Sequence, residues 1–423
     1  MKKAIIGLIC LMLATGTVVG CGSKKTEPEE SQKNTAEKID KSEKEQAESE
    51  TKEEDKKTEE TNQETGKETD TNGNKTSEEE GSKTAENMSE DLTMKVLKEQ
   101  AGTYDYTSLE ELNPEPGTRI AVVVKNTKTG FWKNVKKGMD DAVEDLNEKM
   151  GYKGEDKIKI SFEGPGNETD VESQINIIDA VLSENPSILC LAAIDMESCQ
   201  PQVEEATLNG IPVVVLDSGV QSEQVNAICA TDNYAAGTEA AKKMAEALGE
   251  KGQVAIMAHV ETSESSQKRV AGFTDEMKNH PEIEIVNISY ENEETSMSEL
   301  AEAVLKLYPE VKGYYCTNEI ATNNVLDIVN TSDKEVKVIG FDSGEKQIKA
   351  VKDGVELGMF AQNPYGMGYA TIVAGVRADQ GLENDAFINT GYQWIDSTSI
   401  ELPEYKNYLY KLSLIHISEP TRL

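Results

Sequence analysis

The chain has 423 residues, with 78 acidic and 43 basic side chains, so its formal net charge at pH 7 is −35. A negative charge of this size argues against nucleic acid and against an anionic membrane surface as partners. The length is sufficient for two lobes of roughly 150 residues each behind a long N-terminal extension.

The first predicted element is a targeting segment at residues 1–20. Lys2 and Lys3 precede a short apolar run that ends in Val-Val-Gly followed by Cys21. The run has the length of a signal-peptide core and is too short to span a bilayer. Its ending resembles a bacterial lipobox, which implies that Cys21 becomes a lipidated first residue; an ordinary secretion signal with an incidental cysteine is the alternative. We expect a lipid-anchored protein on the extracytoplasmic face of the cell membrane, in an envelope of Gram-positive type.

Residues 21–95 follow as an acidic tether. Between Lys24 and Asn87 the only branched aliphatic residue is Ile39, and there is no aromatic residue. Such a segment cannot bury enough apolar surface to offset its conformational entropy. We therefore expect it to be a disordered linker beyond the lipidated cysteine.

Strand-like apolar runs alternate with helical patterns from Arg119 onward. The first series predicts strands and helices in turn at Arg119–Val124, Phe131–Met150, Ile158–Phe162, Val171–Leu182, Ile188–Ala193, Glu197–Leu208 and Val213–Leu216. A second series runs from Val225–Ala230 through Ala235–Leu248 and Gln253–Ala258 to Val336–Phe341. Continuous apolar strands separated by helices indicate parallel sheets covered on both faces. The predicted fold class is α/β, with two doubly wound parallel-sheet lobes.

Ligands of such sheets bind beyond the carboxyl ends of the strands. The side chains at or near these ends include a lysine, an aromatic pair, two carboxylates, an arginine and two amides: Lys125, Phe131, Trp132, Asp217, Arg269, Asn318, Asp342 and Gln362. Aromatic faces stack on the C–H faces of sugar rings, while carboxylates, amides and guanidinium bind hydroxyl and ring oxygens. Some of these residues also have a structural alternative: a core-facing pair for Phe131 and Trp132, a turn or helix cap for Asp217, and a surface position for Arg269. Together the set suits a small polyhydroxylated solute.

Cysteine and histidine usage narrows the chemistry further. Four cysteines lie in the predicted folded part and none forms a CxxC pair, so we expect free buried thiols at Cys190, Cys199, Cys229 and Cys316. The chain has three histidines, and it contains no HExxH, Walker or GxSxG motif. We expect no metal site, no cofactor and no enzymatic activity.

The residues from about 119 to 393 resemble the ribose/galactose-type solute-binding proteins of ABC importers. The resemblance rests on Ala121–Val124 with Gly130-Phe131-Trp132, on Gly210–Asp217, on Thr231-Asp232-Asn233, on Arg269 with Gly272-Phe273, and on Gly340-Phe341-Asp342. It implies a periplasmic-binding-protein-like type I fold with a three-strand hinge. The lobes would comprise residues 118–230 plus 363–391 and residues 232–361 plus 393–411. It also implies that the strand-end residues named above, apart from Lys125, line a sugar cleft.

The sequence departs from the ribose pattern at several cleft positions. That pattern has a small polar residue at Lys125, asparagine at Thr129, arginine at Ser218 and an aromatic residue near Asn292. Tyr290 is a candidate for the missing aromatic. A lysine at the first strand end, with Gly164-Pro165 after the second, is similar to the autoinducer-2 and rhamnose branch. Lys125 would bond hydroxyl groups, pair with an anionic ligand, or balance Asp217 and Asp342.

The resemblance implies a monomer that binds its solute and delivers it to an ABC permease. A sensory lipoprotein that reports ligand occupancy to a chemoreceptor or histidine kinase is the alternative, since its binding site would be the same. Residues 412–423 read like the translation of a sequencing adapter, and we expect them to be an artefact outside the fold.

Overall fold

The computed structural model describes residues 92–100, 102–292 and 294–410. The targeting segment, Cys21, most of the tether and residues 412–423 lie outside these ranges, so the predictions made for them stay predictions. Within the described residues, no helix is both long enough and apolar enough to cross a membrane.

Strands and helices alternate along the folded chain, as the apolar pattern predicts. The strands are β1 (Arg119–Val123), β2 (Lys159–Glu163), β3 (Ile188–Leu191), β4 (Val213–Leu216), β5 (Ala227–Ala230), β6 (Gly252–Ala258), β7 (Ile283–Tyr290), β8 (Val311–Cys316), β9 (Lys337–Phe341), β10 (Gly358–Gln362), β11 (Phe387–Asn389) and β12 (Tyr392–Asp396). The helices are α1 (92–100), α2 (Gly130–Met150), α3 (Val171–Ser183), α4 (Gln200–Leu208), α5 (Asn233–Leu248), α6 (Glu264–Met277), α7 (Met297–Leu307), α8 (Glu319–Thr331), α9 (Glu345–Lys352) and α10 (Pro364–Asp379). Two short 3₁₀ turns lie at Gly154–Asp156 and Pro403–Tyr408.

The strands form two sheets of six, which confirms the predicted pair of α/β lobes. The N-terminal lobe has the order β11-β5-β4-β3-β1-β2, and all of its neighbouring strands pair in parallel. The C-terminal lobe has the order β12-β10-β9-β8-β6-β7. Its edge strand β12 runs antiparallel to β10, so this sheet is mixed, as is common at the edge of doubly wound sheets.

The central strands of both sheets are buried because helices cover both of their faces. Every residue of β3 and β4 is buried, and so are Val254 to Ala258 in β6. Each lobe has hydrophobic clusters on both sides of its sheet. This arrangement explains why the strands read as continuous apolar runs rather than as alternating ones.

The chain crosses between the lobes three times: after β5, after β10 and between β11 and β12. Side chains of the three crossings hold one another. Thr231 Oγ1 donates to Gln362 Oε1 at 2.9 Å, and Asn363 Nδ2 donates to Thr390 O at 3.1 Å. A three-stranded connection of this kind lets two rigid lobes rotate about a few residues.

The segment before the first strand also belongs to the folded part. Residues 92–95, which the sequence placed in the tether, are helical in α1. Leu97, Tyr106 and Leu112 are buried in the core of the N-terminal lobe. Asn363 Nδ2 of the crossing donates to Thr93 O at 2.9 Å. Residues 92–95 therefore belong to the folded part, beside the hinge, and not to the tether.

Candidate ligand-binding cleft

All eight side chains predicted from the strand ends line one cavity at the carboxyl edges of both sheets: Lys125, Phe131, Trp132, Asp217, Arg269, Asn318, Asp342 and Gln362. The volume inside this cavity is about 30 Å³, room for about two water molecules in this arrangement of the lobes. The common location of the eight side chains follows from the fold, whereas their roles toward a ligand stay a prediction.

Lys125 and Asp217 form a buried ion pair in the N-terminal wall of the cavity. Lys125 Nζ lies 3.0 Å from Asp217 Oδ2, and both side chains are at most 7% exposed. Lys125 Nζ also donates to Ser263 Oγ of the other lobe at 3.2 Å. Of the three roles open to Lys125, the structure shows the third, in which its charge balances that of a carboxylate. An anionic ligand would have to compete with Asp217.

The two aspartates of the cavity have the same unusual backbone conformation. Asp217 follows β4 with φ of 59°, and Asp342 follows β9 with φ of 72°. Non-glycine residues rarely adopt this left-handed region, although aspartate tolerates it better than most. The bend keeps each backbone N–H on the neighbouring strand, where Asp217 N donates to Cys229 O and Asp342 N to Phe360 O. Each carboxylate is therefore set at the end of its sheet.

Arg269 lies on α6 and is 2% exposed, so it is not a surface arginine. Its Nε donates to Asn233 Oδ1 at 2.8 Å and its Nη1 to Thr317 O at 2.6 Å. The guanidinium carbon lies 3.5 Å from the centre of the Phe341 ring, in a cation–π contact. Its third nitrogen, Nη2, is buried without a partner. The guanidinium is thus held on three sides with one nitrogen unused.

Close packing of two helices sets the position of this arginine. A Cβ added to Gly237 on α5 would lie 2.2 Å from Arg269 O, and one added to Gly272 on α6 would lie 2.1 Å from Tyr234 O. Only glycine at these two positions lets the backbones approach so closely. The approach brings Arg269 Nε within hydrogen-bond distance of Asn233, the first residue of α5.

Asp342 is the most connected carboxylate of the C-terminal wall. It accepts from Gln362 Nε2 at 2.7 Å and from the backbone N–H of Glu319 at 3.0 Å. Burial raises the pKa of Asp342, while Arg269 and the Gln362 bond partly oppose that rise. Asn318 Oδ1 accepts from Ala321 N at 2.8 Å and so caps α8. Asn318 therefore has a structural role as a helix cap, and its amide nitrogen is the group that can face a ligand.

The aromatic pair combines a core position with a place in the cavity wall. Phe131 and Trp132 meet edge to face at 4.9 Å and belong to the core of the N-terminal lobe. Trp132 Nε1 donates to Glu168 Oε1 at 3.0 Å. The indole therefore fixes a carboxylate beside the aromatic surface, in the loop that follows β2.

Six further residues line the cavity that the strand-end interpretation did not select: Thr129, Glu168, His259, Ser265, Glu319 and Ile320. His259 and Glu319 had a usable signal, since the first directly follows β6 and the second follows Asn318. Glu168 lies five residues beyond β2, and only its bond to Trp132 places it. Tyr290, the candidate replacement aromatic, ends β7 and is not among the lining residues.

Burial and mutual repulsion weaken the acidity of the two glutamates. Burial raises the pKa of Glu168 to about 7, with added repulsion from Asp217 and Asp342, while Lys125 and the Trp132 bond oppose the rise. Burial likewise raises the pKa of Glu319 to about 7, with Asp342 and Glu168 adding to it. Both carboxyl groups are therefore weaker acids than an exposed glutamate.

His259 is a neutral member of the wall. Its Nδ1 lies 2.7 Å from Thr317 Oγ1 and its Nε2 lies 3.2 Å from Ser265 Oγ. Burial holds its pKa well below the usual range, and the charges of Lys125 and Arg269 lower it further. The imidazole therefore contributes hydrogen bonds and no charge.

Opposite the hinge, the lobes meet directly along an interlobe seam. Ser218 Oγ and Ser263 Oγ are 3.1 Å apart, and Met196 N donates to Thr262 O at 3.1 Å. Ser218, Ser263 and Ser265 are all buried. The cavity is thus closed between the hinge on one side and this seam on the other.

Within the described residues, no group of three or more His, Cys, Asp or Glu side chains could hold a metal ion. The predicted free thiols are confirmed, since all four cysteines are buried and unpaired. Burial raises the pKa of Cys199 and Cys229 to about 12, so these thiols are unreactive.

A model of the periplasmic binding protein domain matches residues 120–383, which is more than half of the chain. The chain belongs to this family. Among the relatives of this periplasmic binding protein is the D-allose-binding periplasmic protein of Escherichia coli. It is 26% identical over 271 residues, which is 62% of this chain and 84% of the relative.

Solved structures agree with this assignment. A carbohydrate transporter solute-binding protein from Agrobacterium radiobacter, in complex with D-arabinose, has a TM-score of 0.63 and 26% identity and covers 71% of this chain and 100% of its own. An ABC transporter solute-binding protein from Agrobacterium vitis, with bound D-fucose, has a TM-score of 0.63 and 30% identity, with 69% and 100% covered. The predicted resemblance to sugar-binding proteins of ABC importers is confirmed at the level of family and fold.

Proposed function

We propose that this periplasmic binding protein is an extracytoplasmic lipoprotein that carries a small polyhydroxylated solute to an ABC permease. The solute is a sugar, a deoxysugar or a polyol, and it binds in the cavity between the lobes. The protein acts as a monomer without a cofactor and performs no chemistry on the solute. A lipid on Cys21 holds it at the cell membrane.

The unused donor of Arg269 is the observation that carries this proposal. Nη2 is buried in the cavity wall, and a buried donor without a partner costs free energy. Carboxylates and amides from both lobes surround the same space. A solute with several hydroxyl groups and a ring oxygen supplies an acceptor for Arg269 and donors for the carboxylates at once.

The geometry also suggests how loading is signalled. A solute that bonds to Asp217 and to Arg269 or Asp342 bridges the two lobes, so it stabilises the closed arrangement over an open one. A permease can then distinguish loaded from empty protein by the relative position of the lobes. The relatives that bind D-allose, D-arabinose and D-fucose support the solute class.

A thermal-shift screen of the chain tests the solute class. The panel contains pentoses, hexoses, 6-deoxysugars, polyols and sugar acids. We expect at least one neutral polyhydroxylated compound to raise the melting temperature, and Asp342→Asn to abolish that rise. Asp353→Asn, on an exposed side chain, is the matched control. No response across the panel, or an unchanged response in Asp342→Asn, contradicts the proposal.

Uptake separates transport from sensing. In the native cell, deletion of the gene should abolish import of the radiolabelled solute at low concentration, and the intact gene should restore it. Unchanged import with loss of a transcriptional or chemotactic response would favour the sensory alternative instead.

A further inference from the structure

We propose that the solute carries a protonated amine, so that its class is the amino sugars and amino polyols. This inference rests on the proposed function, that a polyhydroxylated solute occupies the cavity. The ammonium group binds between Glu168 and Glu319, one carboxylate from each lobe, beside the Phe131–Trp132 pair.

The balance of charge in the cavity is the first step. Four carboxylates line it, those of Asp217, Asp342, Glu168 and Glu319, against two cations, Lys125 and Arg269. The only other titratable side chain among the lining residues is His259, which burial keeps neutral. A cavity that closes around a solute with two more acids than bases favours a solute with positive charge.

The excess negative charge is concentrated at two of the four carboxylates. Lys125 is paired with Asp217 at 3.0 Å, and the charge of Arg269 acts on Asp342. In the part of the chain that the structure describes, neither Glu168 nor Glu319 forms an ion pair. The excess acid is therefore located at these two glutamates and not spread over the wall.

The third step is that the two glutamates face one space from opposite lobes. Glu168 belongs to the loop after β2, and Glu319 is the first residue of α8. Burial raises the pKa of Glu319, and repulsion from Asp342 and from Glu168 raises it further. A cation between them relieves repulsion that the closed protein otherwise reduces by taking up protons.

The surroundings of the two carboxylates suit an ammonium group. Trp132 Nε1 holds Glu168 Oε1 at 3.0 Å, so the carboxylate is fixed next to the aromatic pair. Glu319 Oε2 is buried without a hydrogen-bond partner. An ammonium has three donors, and carboxylates together with aromatic faces are groups that bind it well. Asp217, Asp342 and Arg269 remain for the hydroxyl groups of the same molecule.

Matched pairs of ligands test the proposal on the whole chain at pH 7. The pairs are the 2-amino-2-deoxy derivatives of D-glucose, D-galactose and D-mannose with their parent sugars, and 1-amino-1-deoxy-D-sorbitol with D-sorbitol. The corresponding uronic acids complete the panel. We expect an amine to bind about tenfold or more tighter than its parent, as a charge-assisted bond replaces a neutral one.

Two variants locate the ammonium site. Glu168→Gln and Glu319→Gln should each weaken binding of the amine about tenfold and leave the neutral parent unaffected or slightly tighter. Glu172→Gln is the matched control, since its side chain is exposed in the first turn of α3 and does not line the cavity. Because either substitution could disturb the fold, the melting temperature of each variant is also measured without ligand.

Proton release on binding distinguishes a direct role of the two glutamates from a merely structural one. When an ammonium binds, both glutamates ionise, so calorimetry at pH 6 in two buffers of different ionisation enthalpy should detect released protons. For the alkyl amine of the amino polyol, which stays protonated as a lysine does, affinity should rise about tenfold from pH 6 to pH 8 for each carboxylate involved.

The failures are distinguishable. If neutral sugars or polyols bind as tightly as their amines, or if uronic acids bind best, the amine inference is overturned while solute binding stands. If the glutamine variants lose no preference for the amine, the site is overturned. If no polyhydroxylated compound binds, with or without an amine, the proposed function is overturned and the inference with it.

Discussion

The two lobes have the same strand order, so equivalent strand ends can be compared directly. β4 and β9 occupy the same place in their sheets, and each is followed by a buried aspartate in the left-handed conformation, Asp217 and Asp342. β1 and β6 also correspond, but Lys125 follows the first and His259 the second. The C-terminal lobe obtains its cation from a helix instead, as Arg269 on α6.

This difference sets the electrostatics of the two walls. In the N-terminal wall the cation is bound to a carboxylate, so Lys125 and Asp217 form a neutral unit. In the C-terminal wall the cation is held by neutral acceptors and an aromatic ring, and one nitrogen of Arg269 has no partner. The cation of the first wall is paired with a carboxylate, whereas that of the second keeps one nitrogen without a partner.

The largest expected effect comes from breaking the neutral unit of the N-terminal wall. Lys125→Met or Asp217→Asn alone should lower the free energy of unfolding by about 3–5 kcal/mol, because each leaves a buried charge unpaired. The double variant should regain most of that loss. Urea unfolding of the ligand-free protein measures all three. Additive losses in the double variant would contradict the comparison, since the pair would then not act as a unit.

The control for this cycle is an exposed pair of the same type. Lys349 and Asp353 form an ion pair at adjacent turns of α9 with both side chains at least 49% exposed. Exposed pairs contribute roughly 0–1 kcal/mol, so Lys349→Met should cost no more than that. The contrast separates burial from the mere presence of opposite charges.

The second largest effect is expected at Arg269, the cation of the C-terminal wall. Arg269→Lys keeps the charge but loses the planar fork and the stack on Phe341, at a cost of about 2 kcal/mol in a desolvated site. We expect ligand-induced thermal stabilisation to be lost, whereas Lys268→Arg, on the exposed neighbour, retains it. Retained ligand response in Arg269→Lys would mean that charge alone matters and that the geometry of the third nitrogen does not.

A further effect is expected from pH, and its sign follows from the two glutamates. Their pKa of about 7 in the folded protein lies above the ordinary value of 4.5. The folded state therefore binds more protons than the unfolded one, so this contribution is present below about pH 4.5 and is lost as the pH rises through about 7. The melting temperature of the ligand-free protein should fall across this window.

Other groups titrate in the same range and must be separated from the glutamates. His259, with its lowered pKa, acts in the opposite direction, because stability is lost as the pH falls below its ordinary value of 6.5. The informative quantity is therefore the difference between the wild-type protein and the Glu168→Gln/Glu319→Gln double variant. The free energy of unfolding of the wild-type protein should fall relative to that of the double variant between pH 5 and pH 8, and a constant difference would contradict the raised pKa values.

How far the sequence predicts this site depends on how local each signal is. Lys125, Asp217 and Asp342 end buried apolar runs abruptly, and the parallel sheet places all such ends at one edge. His259 directly follows β6 in the same way, so the same rule could have selected it. Glu168 is different: it lies in a loop whose course no periodicity reports, and a tertiary bond to Trp132 fixes it.

The fold shows the same limit. α10 was not predicted, because its sixteen residues contain three glycines and are buried nearly all round, so no amphipathic period is visible. α1 and the segment through Leu112 carry isolated apolar residues that are buried only by contact with the N-terminal lobe. Local pattern identifies helices with one exposed face and short, continuously apolar strands, whereas tertiary contact decides the rest.

The smallest expected effect lies where the two walls meet, at the interlobe seam. Ser218→Ala removes the contact of Ser218 Oγ with Ser263 Oγ and the bond it accepts from Ser265 N. A typical hydrogen bond contributes about 1 kcal/mol, so the closed form should be weakened and ligand should dissociate about fivefold faster. Stopped-flow dissociation measures this, with Ser222→Ala as the control on the same loop. Because the substitution leaves the hydrogen bonds of Arg269 intact, the association rate should be unchanged. A slower association instead would show that the seam shapes the open cleft.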